Sequence, residues 1–271
     1  MDTEIARTKR THVGISTFER VLVGIDGSPE SVEAAHQAAA LAHGPVTLLA
    51  AYDLVRGLVG GVGPATPAMV DEAALRATAE QRLELARDAL AGTAALKIGE
   101  GRAWDLLLHE IDRAGSTLVA VGSHGHSRPV GILIGSTATE LIHKAPCSVL
   151  VARTALGAFP SRIIVGLDGS EESLAAYDVA DGLALRFGAR LIPIVACLED
   201  DIEPDAIQQR VARQVRSVFN HPVEALVSAS AESDLVVVGS RGLRGLKALG
   251  SVSEQVAHQA AASVLIVRAA S

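Results

Sequence analysis

Aromatic residues are scarce: phenylalanine, tryptophan and tyrosine make up 3% of the 271 residues. The core must therefore be assembled from Val, Leu, Ile and Ala, within a hydrophobic fraction of 49%. That bias suits parallel strands covered on both faces. Cysteine is nearly absent. Cys147 and Cys197 are too few and too far apart for a disulfide framework, so a reduced, cytoplasmic protein is expected. Basic residues are not in excess either, and a formal net charge of −7 speaks against the basic stripe of a nucleic-acid binder. No uncharged apolar run reaches the roughly 18–20 residues that cross a bilayer. The segment from Met1 to Arg20 is polar and lacks the apolar stretch of a secretory signal. This leader is expected to be disordered to about Phe18. Neither nucleic acid nor membrane is expected as a partner.

Familiar nucleotide and acyl-transfer fingerprints are missing as well. There is no Gly–Lys dipeptide and hence no P-loop lysine, and no G-x-G-x-x-G follows a strand. The G-x-S-x-G elbow of serine hydrolases is also absent.

What the chain does contain is a copy of itself. Residues 21–35 read VLVGIDGSPESVEAA and residues 163–177 read IIVGLDGSEESLAAY, which pairs Asp26 with Asp168, 142 residues on. LVAVGSHG at 118–125 returns as LVVVGSRG at 235–242, pairing Gly122 with Gly239, 117 residues on. The second copy is thus 25 residues shorter between these motifs. SVLVAR at 148–153 and SVLIVR at 263–268 close the two copies. The period is far longer than the roughly 20–50 residues of solenoid repeats, so a whole domain is duplicated.

Strand and helix patterns alternate in each copy. In the first, strands are expected at Val21–Ile25, Val46–Ala51, Ala94–Ile98, Thr117–Val121 and Ser148–Ala152. Helices are expected over Ser31–His43, Pro67–Ala91, Trp104–Arg113 and Thr137–His143. The second copy follows with strands Leu191–Val195 and Val215–Phe219 around a helix at Pro204–Arg213. Such alternation implies right-handed crossovers. The fold class is α/β: two tandem doubly wound domains, each a five-stranded, mostly parallel sheet with helices on both faces. The domains span 19–154 and 160–271, joined by a linker containing Pro160.

Ligands of such sheets bind at the carboxyl ends of the strands, where the strand order reverses. Asp26–Gly27–Ser28 falls there, and so does the loop from Gly122 through Gly125 to Gly135–Ser136–Thr137. Glycines let backbone amides approach phosphate closely, and a helix starting at Ser136 and Thr137 offers unpaired amides and a positive dipole end. His126 and Arg128 would add positive charge. Asp26 suits a base or ribose better than a phosphate. Plainer readings stand beside these: Asp26 and Asp168 as turn or capping residues, and the glycines as turn formers. His124 and His126, even with His143 and Cys147, make an incomplete zinc set, and no metal site is assigned. The acidic run Glu199–Asp205 reads as a solvated loop or a first helical turn, and Trp104 as a packing residue.

These motifs resemble the universal stress protein family. Its ATP-binding members carry G-x2-G-x9-G-[ST], and Gly122, Gly125, Gly135 and Ser136 have this spacing. VGIDGS and APCSVLVAR are similar to the family's opening and closing segments. The resemblance implies an adenine nucleotide alpha hydrolase-like fold. It implies ATP as ligand, with or without Mg2+: Asp26 meets the adenine, and Gly122, Gly125, Gly135 and Ser136, with Thr137 beside them, hold ribose and phosphates. It also implies pairing through the last strands, here as an internal pseudo-dimer, with a homodimer of the whole chain left open. The second copy keeps Asp168, Gly239, Gly242, Gly250 and Ser251, but seven rather than nine residues separate the last two glycines of its motif. That shortening removes up to about 7 Å of reach, and weaker or absent ATP binding is expected there. The function expected is a nucleotide-dependent stress or regulatory module, with ATP hydrolysis, if any, slow. The alternatives are an enzyme acting on an adenylated or phosphorylated substrate, and a structural tandem whose pockets stay empty.

Overall fold

The computed structural model describes residues 18–53, 71–124, 134–155, 157–197, 204–240 and 252–268. The leader before Phe18 and most of the acidic run lie outside them. Among the described residues ten strands form a single sheet. In the first copy these are β1 (Val21–Ile25), β2 (Val46–Tyr52), β3 (Ala95–Glu100), β4 (Leu118–Gly122) and β5 (Ser148–Ala152). The second copy supplies β6 (Arg162–Leu167), β7 (Arg190–Cys197), β8 (Arg216–Phe219), β9 (Leu235–Gly239) and β10 (Ser263–Val267). The helices are α1 (Pro29–Leu41), α2 (Glu72–Ala89), α3 (Ala103–Ala114), α4 (Ser136–Lys144), α5 (Glu171–Phe187), α6 (Pro204–Gln208), α7 (Pro222–Ser230) and α8 (Val252–Gln259).

Strand order is β3-β2-β1-β4-β5-β10-β9-β6-β7-β8, so each copy shows the same doubly wound order, read outward from the centre in opposite directions. Pairing is parallel throughout each copy and antiparallel at β5–β10, where Leu150 faces Leu265. Both central strands are buried along their whole length. One apolar layer, beneath α1, α2 and α5, runs continuously through Val23, Leu150, Leu265 and Val165. A second lies beneath α3, α4, α7 and α8.

Local chemistry sets the helix ends. Ser28 and Ser170 occupy equivalent N-caps, each hydroxyl accepting from the amide three residues on. Asp71 caps α2 by accepting from Ala73 and Ala74. Gly115, left-handed at φ 61°, ends α3. The helix expected over Pro204–Arg213 stops at Gln208. Beyond it the chain is held off helical geometry: the Tyr177 hydroxyl accepts from the amides of Ala212 and Arg213 at 3.1 and 3.0 Å, and the Gln208 side chain accepts from the Val215 amide at 2.8 Å.

The seam between the copies is closed by a reciprocal set of polar contacts. The Arg153 amide donates to Ser263 Oγ at 2.9 Å, and the Arg268 amide to Ser148 Oγ at 3.2 Å. The Arg153 guanidinium donates to the carbonyls of Ala257 and Ala262, at and beyond the C-terminus of α8. The Arg268 guanidinium donates to the Ile142 carbonyl near the C-terminus of α4 at 2.6 Å. Each copy's last arginine therefore satisfies orphan carbonyls of the other copy's last helix, where the dipole favours a cation. Burial lowers the Arg153 pKa to about 10, which leaves it charged at neutral pH. Arg153→Ala would strand these carbonyls, and a loss of about 3 kcal/mol is expected. Urea unfolding checks this, and a change below about 0.5 kcal/mol would show the arginine to be dispensable.

Candidate functional site

The strand order reverses between β1 and β4, which places the Asp26 turn beside the end of β4. Gly27 turns at φ 83°, outside the range open to most side chains. Asp26 Oδ1 then accepts from the Ser28 amide at 2.9 Å and from the Ser28 hydroxyl at 2.5 Å. The capping role is therefore real, and it uses only one oxygen; no hydrogen bond to Asp26 Oδ2 is seen among the described residues. Ser28 Oγ also lies 3.4 Å from the His124 carbonyl, which ties the β1 turn to the loop after β4.

That loop begins with Gly122, Ser123 and His124 and returns at Ile134. Ser123 is buried; its amide donates to Ala152 O at 2.9 Å, and its carbonyl accepts from the Gly135 amide at 2.7 Å. This pair closes the neck of the loop. Gly135 is the N-cap of α4 and provides no side-chain cap. The first amides of α4, at Ser136 and Thr137, thus face the switch point without intrahelical partners. The site brings together Asp26, Gly122, Gly135, Ser136 and Thr137. Gly125, His126 and Arg128 lie outside the described residues.

The two glycines of this loop among the described residues differ in what surrounds them. A Cβ at Gly122 would stand 2.8 Å from the Glu30 carbonyl carbon and 2.9 Å from Glu30 Cβ, so the first turn of α1 occupies the space. Gly239 meets Glu172 in the same way, at 2.6 Å. Both are required for close helix–strand packing whether or not a ligand is present. At Gly135 the nearest atom is Ser123 O at 3.6 Å, which is ordinary contact.

A residue with no motif to mark it also reaches the site. The Arg82 side chain, from α2, lies across Gly27: its Cγ and Nε would be 2.7 and 3.0 Å from a Cβ there. It is half-buried, and no ion pair or hydrogen bond of its guanidinium is found among the described residues. Only the fold brings α2 over the β1 turn; helical periodicity merely makes Arg82 a polar-face residue. The second copy covers its turn differently. Arg210 donates to Gly169 O at 3.0 Å and to Glu171 Oε1 at 2.6 Å. Glu171 stands where the first copy has Pro29.

The second turn is otherwise a replica. Asp168 Oδ1 accepts from the Ser170 amide at 3.0 Å and its hydroxyl at 2.5 Å, but Asp168 is exposed. The Ser240 amide donates to Val267 O at 3.1 Å, as Ser123 does to Ala152. Gly242, Gly250 and Ser251 lie outside the described residues. Elsewhere, burial pushes the Cys147 thiol up to about 12, which makes it inert at neutral pH. Trp104 is half-buried at the start of α3 with Lys144 Nζ 4.2 Å from its ring centre. Among the described residues no helix is long and apolar enough to cross a membrane.

Comparison with known proteins adds the lineage. The profile of the universal stress protein family matches residues 17–153 and 195–268. A universal stress protein of Mycolicibacterium smegmatis is 31% identical over 283 residues, covering 92% of this chain and 96% of the relative. One of Mycobacterium tuberculosis is 32% identical over 183 residues, covering 56% of this chain but only 61% of the relative's length. The crystal structure of a universal stress protein from Archaeoglobus fulgidus superposes with a TM-score of 0.71 at 20% identity, covering 93% of this chain and 98% of that one.

The Gly122 and Gly135 environments separate packing from ligand contact. Gly122→Ala is expected to cost about 1–3 kcal/mol through overpacking. Gly135→Ala should cost less than about 1 kcal/mol, because its Cβ would meet only the Ser123 carbonyl oxygen at an ordinary 3.6 Å. Thermal unfolding of both variants without ligand checks this, and equal destabilisation would refute it.

Proposed function

The chain belongs to the universal stress protein family, and from that membership we propose that its first copy binds ATP and works as a nucleotide-dependent regulatory module. The observation that carries this reading is the meeting, at one switch point, of two groups that have no partner among the described residues. The uncapped start of α4 offers amides to phosphate, and Asp26, with one oxygen committed to its own turn, offers the other to the exocyclic amine of a base or to a ribose hydroxyl. The G-x2-G-x9-G-S spacing places nine residues, His126 and Arg128 among them, between those ends. Mg2+ bound with the nucleotide would share the phosphate charge. A cytoplasmic stress or regulatory role follows from the family alone.

Three features favour the first copy over the second. Its glycine loop is two residues longer. Its aspartate is half-buried, whereas Asp168 is exposed. Its turn is crossed by Arg82, a guanidinium available to an anionic ligand, whereas Arg210 is already engaged by Glu171 and the Gly169 carbonyl.

Calorimetric titration with ATP should therefore give close to one site per chain. Asp26→Ala should remove most of the binding, and Arg82→Ala should weaken it about tenfold, or ~1.4 kcal/mol. Two equivalent sites, or binding that survives Asp26→Ala and vanishes with Asp168→Ala, would overturn the assignment.

A further inference from the structure

The geometry points to a second anion site in the shortened copy, at the N-terminal ends of β6, β7 and β8, which takes a small phosphate-bearing molecule. It is separate from the switch points and independent of the ATP reading.

The argument starts from register. Arg162 and Arg190 are direct partners on the neighbouring parallel strands β6 and β7. They share a sheet face about 4.8 Å apart. Arg216 of β8 pairs with Ile194, an even number of residues along from Arg190, and so joins the same face. Like charges set opposite each other on neighbouring strands are destabilising. All three arginines are exposed, and among the described residues none of their guanidinium groups has an ion pair or hydrogen bond. They rim a cleft of about 110 Å³ that is floored by Ile192 and backed by Ala229 at the end of α7. A second cleft of about 340 Å³, against Gln214 and Val215, adjoins it.

The first copy shows what belongs in this place. Leu107 of α3 packs over Gly24 and Leu226 of α7 over Gly166, so the two helices superpose there. Three residues further along, α3 carries Glu110 and α7 carries Ala229. Glu110 is buried and receives Lys97 at 2.6 Å and Arg113 at 2.9 Å. Lys97 pairs with Leu49, and Arg216 with Ile194, the equivalent position of β7. Lys97 and Arg216 are therefore counterparts. Arg20, the counterpart of Arg162, donates to the Gly115 carbonyl at 2.8 Å. The second copy shares the strand cations, has Arg190 where the first has Pro45, and has a methyl group where the first has the buried carboxylate. Two acids stand near the rim: Glu232 is exposed, and the Asp234 carboxylate accepts from the backbone amides of Ser161 and Arg162 at 3.0–3.2 Å, turned to the start of β6 rather than to a guanidinium. A ligand's phosphate thus fills the position of the Glu110 carboxylate. Guanidinium forks hold its oxygens from several sides, as planar donors do with phosphate, and the isoleucine floor accepts an apolar or planar remainder.

The test is calorimetric titration of the whole chain with inorganic pyrophosphate at low ionic strength, since screening weakens such contacts. Submillimolar pyrophosphate should show saturable binding that weakens at least tenfold in Arg190→Gln. Ala229→Glu restores the acid of the first copy; it should abolish the binding and raise the melting temperature without ligand. ATP titration of Arg190→Gln should match the parent, which separates this site from the nucleotide site. No saturable binding, or an isotherm identical in the parent and Arg190→Gln, overturns the proposal even if Ala229→Glu fails to fold.

Discussion

The two copies are joined through two short strands, each flanked by a strand of its own copy on one side and only by the other copy's strand on the other. β5 and β10 are buried along their length, and the edge that each turns away from its own copy is paired only by the other. Alone, either copy would present a flat, apolar edge of the kind that invites aggregation. Their antiparallel pairing converts two edges into a sheet interior, and the arginines that follow each strand reach over to the neighbouring copy's last helix. A further clamp lies on the opposite face, where Arg186 of α5 donates to the carbonyls of Leu41 and Ala42 at the end of α1. The His143 and Glu254 side chains, 3.0 Å apart, join α4 to α8. Covalent fusion of the copies removes the entropic cost of bringing two chains together at this seam.

Much of this was legible in the sequence. Strand alternation and the repeat fixed the order of elements, because a parallel sheet buried on both faces writes itself as short β-branched runs between amphipathic helices. The Asp26 turn was legible in part. Its capping chemistry follows from Asp–Gly–Ser, but sequence cannot tell that one carboxylate oxygen is spoken for and the other is not. Gly122 was legible as a special position for an incomplete reason, since the closeness of α1, which leaves no room for a Cβ, is a property of packing that motif spacing does not carry.

What stayed hidden shares a cause. Arg82 sits mid-helix with no neighbouring signature, and only crossover geometry lays α2 over β1. The early stop of α6 is imposed by a tyrosine on another helix, a tertiary bond that overrides local preference. The basic cleft goes with a difference between the copies, Ala229 in the second where the first has Glu110, and an absent carboxylate leaves no motif. Duplication makes such differences visible, because each copy serves as the control for the other.

The antiparallel seam has a geometric corollary. Reversing one half of a parallel sheet puts the carboxyl ends of β1 and β4 on the same rim as the amino ends of β6, β7 and β8. Four inter-strand steps separate β4 from β6, a path of about 19 Å at ~4.8 Å per step. Across those steps the twist accumulates to roughly 80–100°. The rim is thus continuous but turns through about a right angle, like the edge of a propeller blade. A planar surface touching one end leaves the other pointing away, so a body that senses both ends must be curved to follow the blade.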